Sequence, residues 1–526
     1  MPDFDLNLID ISIVIGYIIG VLILGFYIGK KHENSEDYFL AGRNLTWPLI
    51  GFSLFASNMS SNSLVGLTGS GYMEGAGFSV FSYEWMAVVV LILFAIFFLP
   101  FYLKNNIFTV PEFLERRYDY RARLYASGTA IILNVIVDIA ATLYAGGIVI
   151  QLIFPQFALW EIIVFLAVIA GIYTISGGLT AVVITDAVQA VILILGSALI
   201  SYFAWDASGG LEAVRQITDP SHFEIIKPAT DEELPWPGLI TGVFLLGFYF
   251  WGTNQFITQR ALASKTTSQG QWGAIFAGFL KLSALFIMIM PGALARVLYP
   301  NIENVDIVYP TMMFDLLPVG ILGLVLAGLI AAMMSTIDSG LNSVSTLITM
   351  DFYQKLFPEK DNEQLLGIGR WITFGVMVIA VSWAPQIQHF EKLWDYLQQA
   401  LSWFSPPIIA LFMVGLFWKR ANKTGAVWGM VAGIITSLFV IIFNGDQQLM
   451  HFLYMTGLHF GISVVANIIG SLTAEAPSAE VVQNTVWRPA TFAKETAELK
   501  ELAWYKNYRY QAIALVATIA VILMIY

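Results

Sequence analysis

The sequence predicts an all-α polytopic membrane protein of about fourteen transmembrane helices, some interrupted, with two halves related as inverted repeats. Three observations carry that prediction. The 526 residues are 57% hydrophobic and only 12% charged, whereas a soluble domain is about a quarter charged. Apolar runs of about 18 or more residues, each long enough to cross ~30 Å of hydrocarbon, recur from end to end. Small polar residues interrupt two of these runs at matching offsets, five spans apart. A β-barrel would instead show alternating strands of about ten residues. The absence of cysteine excludes disulfides, thiolate metal sites and a cysteine nucleophile. The net charge of −11 lies mostly in loops and says little about partners.

The first run, 8–29, is too long for a signal-peptide core and no basic residue precedes it, so it reads as a retained span. Spans at 46–72, 79–103 and 124–154 follow, then 159–176 and 179–206, parted at Gly177–Gly178. After a loop come 235–257, 271–297 and 318–353, the last long enough to project beyond the bilayer. Spans at 367–386, 391–418, 425–443, 450–474 and 509–526 complete the chain, and the polar stretch 475–508 reads as a loop with an interfacial helix. The odd-numbered loops hold 21 of the 26 basic residues, from Lys30, Lys31 and Arg43 to Arg260, Lys265 and Arg509. Basic residues stay in the cytoplasm, which puts both termini outside.

The second span contains "SLFASNMSSNSLVG", 53–66, in which six of the seven residues from Ser57 to Ser63 are polar. Helix–helix contact explains a lone serine, but non-helical backbone at this depth is tolerated only against protein or a water-filled cavity. Span seven supplies a counterpart, "GFYFWGTNQF", 247–256, with glycines, aromatics and then Asn254–Gln255. A tryptophan–tyrosine interface belt is the other reading of that stretch. The matching offsets favour two repeats, about 46–206 and 235–418, within a single transporter domain, 1–526. The helix 8–29 precedes them and helices over 425–526 follow.

Five ionisable residues fall well inside predicted spans: Glu84, Asp138, Asp186, Lys281 and Asp338. Each costs about 2.5–3.5 kcal/mol at a span centre, which marks it as a functional candidate. Lys281 can neutralise one acid, and Glu84 is the expected partner. Three acids then lack a protein counter-charge and must be protonated, reach water or hold a cation. Ser335, Asp338 and Ser339 have the spacing of a shared helix face. With Thr336 they make an all-oxygen set suited to a hard cation. The five histidines are dispersed, so no transition-metal site is indicated. Asp186 and Asp338 could pass for an intramembrane aspartyl pair, but their hydroxyl-rich setting suits ion ligation better.

Taken in order, "ASNMSSNSLVGLTGSGY" (56–72), "SYEWMA" (82–87), "YTISGGLTAVVITDAVQ" (173–189), "YFWGTNQFITQRALASK" (249–265), "FLK" (279–281), "MSTIDSGLNSVSTLITMDFY" (334–353) and "GLFWKR" (415–420) resemble the sodium/solute symporter family, specifically its sodium/glucose branch. The resemblance implies a leucine-transporter-like five-plus-five inverted repeat. It also implies a main sodium site made by the carbonyls of Ala56, Met59 and Ala332 with the hydroxyls of Ser335 and Thr336. Some members hold a second sodium, which here would take Asp186, Ser335, Asp338 and Ser339. The sugar pocket of the branch maps to Asn58, Glu84, Lys281 and Gln398. Trp394 and Leu67 map to an outer lid, and Phe250, flanked by Tyr249 and Trp251, to an inner one.

The chain departs from the family pattern at Phe250, commonly tyrosine; at Ser63 and Gly247, where relatives place hydrogen-bonding side chains; and at Asp138, where relatives vary. The function implied is sodium-coupled import of a glucose- or galactose-like monosaccharide by alternating access. The alternative is symport of a uronate or another organic anion such as sialic acid, which predicts an unpaired Arg or Lys in the pocket. The expected ligands are a sugar and the sodium ion, with the lipid bilayer around the chain. Nucleic acid, an obligate protein partner and enzymatic activity are not expected. A bacterial inner membrane is the expected location.

Overall fold

A computed structural model describes residues 4, 6–29, 35–390, 392–443 and 449–526. Lys30 and Lys31, used in the orientation argument, lie outside them. Among the described residues the architecture is helical, and pairing is limited to two isolated bridges. Nine described helices are long and apolar enough to cross a membrane, or ten with one bent pair counted as a span. The other four predicted spans appear as two short apolar helices and two broken ones.

Helix α1 is Leu8–Gly29. The second predicted span is divided into α2 (Trp47–Asn58) and α3 (Ser61–Tyr72). Met59 leaves helical geometry (φ −83°, ψ 63°) and Ser60 is extended (φ −89°, ψ −178°). Serine and asparagine side chains compete with the backbone for its hydrogen bonds, and here Ser63 Oγ donates to Asn58 O at 2.5 Å across the break. Then come α4 (Gly77–Lys104) and α5 (Tyr120–Ile153), the latter with a π-helical turn at Asn134–Ile139.

Helical hydrogen bonding runs unbroken through α6, Leu159–Ser208, past the expected division at Gly177–Gly178. Ile169 lines a hollow with Met333, Met334 and Ile337, and Asp186 accepts a hydrogen bond from Ser335, so α6 meets the helix Ile321–Leu356 through both its first and its second part.

The seventh span is α7 (236–253), which ends in a π turn at Tyr249–Thr253. Asn254 is extended there (φ −75°, ψ 123°), and its Oδ1 accepts from Phe256 N–H at 3.0 Å. It thereby caps α8 (Gln255–Leu262). The remaining long elements are α9 (Thr267–Leu298), α10 (Ile321–Leu356), α11 (Gly367–His389), α12 (Leu393–Phe404) and α13 (Pro406–Phe417). Pro406 and Pro407 follow Ser405 directly, and α12 and α13 meet at 53°. Helices α14 (Lys423–Phe443), α15 (Phe452–Leu472), α16 (Pro489–Lys500) and α17 (Tyr508–Ile525) complete the molecule.

Helix α10 is buried along nearly its whole length, packed by α1, α2 and α6. Asp10, an acid the hydropathy reading passes over, ties α1 to its start. Asp10 Oδ1 accepts from the Gly320 and Gly323 N–H groups, both at 2.7 Å, satisfying donors that a helix N-terminus leaves open. Helices α3 and α9 meet backbone to backbone. A Cβ on Gly71 would sit 2.3 Å from Ile289 O, and one on Gly292 2.1 Å from Thr68 O. A hollow lies among the α2–α3 break, α7, α9, α10 and α12.

Candidate functional site

The hollow is a cavity of about 90 Å³. Asn58 and Ser63 reach it from either side of the α2–α3 break, Glu84 from α4, Phe250 and Trp251 from the π turn of α7, Lys281 from α9, and Trp394 and Gln398 from α12. The structure thus gathers all eight residues predicted for the substrate. Lys281 Nζ lies 2.5 Å from Glu84 Oε2, as the sequence suggested, and also donates to Asn58 Oδ1. It stands 5.1 Å from the centroid of the Trp251 ring. A lone buried cation is thereby neutralised and aimed, which relieves the penalty of placing it in apolar surroundings. Phe250 packs edge-on against Trp251, with centroids 5.4 Å apart.

Trp394 covers Gly66 of α3 and meets Tyr83 edge-on at 5.3 Å. Both rings also line a second hollow of about 160 Å³ with Ser70, Glu233, Lys392 and Asp395. Leu67, assigned to the outer lid by resemblance, is instead buried and absent from the cavity lining. Tyr83 is the partner that sequence reasoning missed, because only the approach of α4 to α12 reveals it.

The residues expected at the main sodium site sit at one crossing. Ala56 and Met59 are fully buried at the end of α2, and Ala332, Ser335 and Thr336 are buried in the middle of α10, which packs on α2. The break deprives the last carbonyls of α2 of the next helical turn. Thr336 Oγ1 lines the cavity and, among the described residues, makes no hydrogen bond. An unpartnered buried hydroxyl on a helix that packs against the broken end of α2 is a fit for a hard cation.

In the group expected at a second sodium site, the structure changes one expectation, the missing counter-charge of Asp186. Asp186 accepts hydrogen bonds from Ser53 and Ser335, and from Ser57 at 3.4 Å. It is also not without a counter-charge. Arg260 Nη2 lies 3.4 Å from Asp186 Oδ2 and donates to Ser339 Oγ, while Nε donates to Ser53 Oγ at 2.7 Å. A guanidinium therefore occupies the centre of this oxygen cluster. The sequence placed Arg260 in a cytoplasmic loop, but the Asn254 cap turns α8 back into the protein and buries it. That cap was the available signal, since asparagine followed by a short amphipathic run reads as a new helix start. Asp338 is fully buried on α10 and lies within electrostatic reach of Tyr38, while Ser335 and Ser339 bond to Asp186 and Arg260.

The sodium:solute symporter family matches residues 38–433. Sodium/glucose cotransporter 4 of Danio rerio is 33% identical over 96% of this chain and 84% of its own length. The chain belongs to the sodium:solute symporter family. It is similar in the same way to the sodium/glucose cotransporter of Vibrio parahaemolyticus (35% identical, 83% of this chain, 86% of the relative). Sodium/myo-inositol cotransporter 2 of Oryctolagus cuniculus is 32% identical over 92% of this chain and 80% of the relative.

Among solved structures, a Na+-coupled sialic acid symporter in a substrate-bound outward-open state superposes with a TM-score of 0.79 at 24% identity. The match covers 90% of this chain and all of that one. A nucleobase-cation-symport-1 family transporter follows with a TM-score of 0.56 at 14% identity, over 86% of this chain and 99% of that one. These symporters share the fold, a leucine-transporter-like arrangement of interrupted helices.

Proposed function

We propose that this symporter imports a neutral, glucose- or galactose-like monosaccharide together with sodium, by alternating access. The carrying observation is the cavity's charge balance. Its one lysine is paired with Glu84 at 2.5 Å, so no free cation is left to hold a carboxylate. Amide, hydroxyl and ion-paired groups beside Trp251 and Trp394 match the alternating hydroxyls and apolar faces of a pyranose. Buried polar groups left unpaired by a poor substrate supply selectivity. This balance disfavours the uronate and sialate reading. Sodium takes the Ala56, Met59, Ala332, Ser335 and Thr336 oxygens and bridges α2 to α10.

In the second sodium group, Asp186, Ser335 and Ser339 must release Arg260 before they can take an ion. Each inward charge contributes about 2.3 kcal/mol per 100 mV, so two ions supply roughly 4.6. The repeats 46–206 and 235–418 rock around the site, with both termini outside a bacterial inner membrane. No catalytic step or obligate protein partner belongs to this reading. Uptake of labelled glucose, galactose, glucuronate and sialic acid into proteoliposomes, under sodium, lithium or proton gradients, tests it. Sodium-driven hexose uptake that Lys281→Gln abolishes is expected; sodium-independent uptake, or uptake of the acids alone, overturns it.

A further inference from the structure

Three ionisable side chains line the cavity: Glu84, Lys281 and Asp138. The first two neutralise each other. Asp138 forms no ion pair among the described residues, which makes it the acid of this cavity that has no counter-charge there. Its position is built rather than incidental. It lies in the π turn Asn134–Ile139, where one extra residue per turn re-aims the side chains of α5, a device common at functional sites. Thr142 Oγ1 donates to the Asp138 carbonyl at 2.6 Å and anchors the turn.

The Asp138 carboxyl group is 6% exposed and sits beside the Asn254 amide at the α7–α8 break, with Tyr249 and Tyr396 within electrostatic reach. All three neighbours are neutral. A buried carboxyl group with neutral neighbours favours its protonated form and gains from ionising only when a cation reaches it, here through the open cavity in front of it.

We propose that Asp138 is the charge filter of the substrate site, favouring a monosaccharide that carries a protonated amine, admitting the neutral parent and rejecting the carboxylated one. This rests on the sugar-symport reading above. An ammonium against Asp138 forms a charge-assisted hydrogen bond and holds the group as its carboxylate. A sugar acid must bury its carboxylate against Asp138 with no free cation to pair with, because Lys281 remains occupied by Glu84.

The test is sodium-dependent displacement of a labelled neutral hexose from the purified protein by glucosamine, glucose, N-acetylglucosamine and glucuronate at one pH. Glucosamine is expected to bind at least about tenfold more tightly than glucuronate, with glucose between them. That separation corresponds to about 1.4 kcal/mol. N-acetylglucosamine, equal in position but uncharged, should lose the advantage of the amine. In Asp138→Asn the glucosamine-to-glucose ratio should collapse toward one, and in Asp138→Glu it should persist. The wild-type order decides even where the variants fail to fold. Hexose binding without that order, or an order that survives Asp138→Asn, overturns the filter alone. No sodium-dependent binding of any of the four overturns the sugar reading and the filter with it.

Discussion

The two ends of the cavity are closed by different chemistry. Toward the vestibule, one edge-on contact between Tyr83 and Trp394 separates the substrate cavity from the second hollow. Behind Ser57, which lines the cavity and donates to Asp186, the residues Ser53, Asp186, Arg260, Ser335 and Ser339 form a buried ionic layer drawn from α2, α6, α8 and α10. An aromatic pair contributes about 0.5–1.5 kcal/mol beyond its burial. Removing one partner of a buried ion pair costs about 3–5 kcal/mol. Access from the vestibule therefore needs a local movement of two rings, whereas access from the other end must re-partner a buried charge. Ser335 belongs both to that layer and to the predicted sodium group, so an ion arriving or leaving there is felt at the stiffer closure.

The comparison breaks most sharply at Arg260. Arg260→Ala strands Asp186 and should cost about 3–5 kcal/mol, read as a large loss of thermal stability in detergent, with Arg260→Lys in between. A melting temperature unchanged in Arg260→Ala would mean the layer does not hold that end shut. Thr336→Ala should leave the fold intact and weaken sodium by about tenfold or more, the scale of a hydrogen-bonding group facing a charge, ~1.5–3 kcal/mol. The sodium dependence of uptake reports it, and an unaltered curve would remove Thr336 from the site.

A pH effect sharpens the vestibule side. Burial pushes the Asp306 carboxyl group up to about 6, with Asp395 adding to the rise and the Leu393 N–H and Lys392 opposing it. The folded state therefore holds this proton more tightly than the unfolded chain. Its contribution to stability falls as pH rises from about 4 through 6, by roughly 1–2 kcal/mol. Asp306→Asn should flatten that slope in melting curves taken across the window; an identical slope would assign the dependence elsewhere. The smallest effect is expected at Trp394→Ala. It should speed substrate release several-fold, matching the ~0.5–1.5 kcal/mol of one ring pair, and stopped-flow displacement measures it. A release rate equal to wild type would place the lid on another residue.

Much of this site could be read in the chain before folding was considered. The Ser57–Ser63 run does break its helix, because those side chains bond to nearby backbone whatever surrounds them. Glu84 and Lys281 could be paired on paper because one intramembrane lysine had few acids to choose from. Leu67 and Tyr83 could not be told apart, since helix periodicity says which residues share a face and not which neighbour that face meets.

Hydropathy, helix breaks and charge counts are local properties, and from them alone follow the membrane class, the interrupted helices and most of the residues around the cavity. Which charges touch is not local. Arg260 and Asp186 lie 74 positions apart, and their meeting depends on the angle at which Asn254 turns α8 inward. Asp138, by contrast, forms no ion pair among the described residues, because none of their packed elements brings a basic side chain to it. Charge pairing at depth is settled by packing, since a few ångströms and the exclusion of water decide whether two groups neutralise each other.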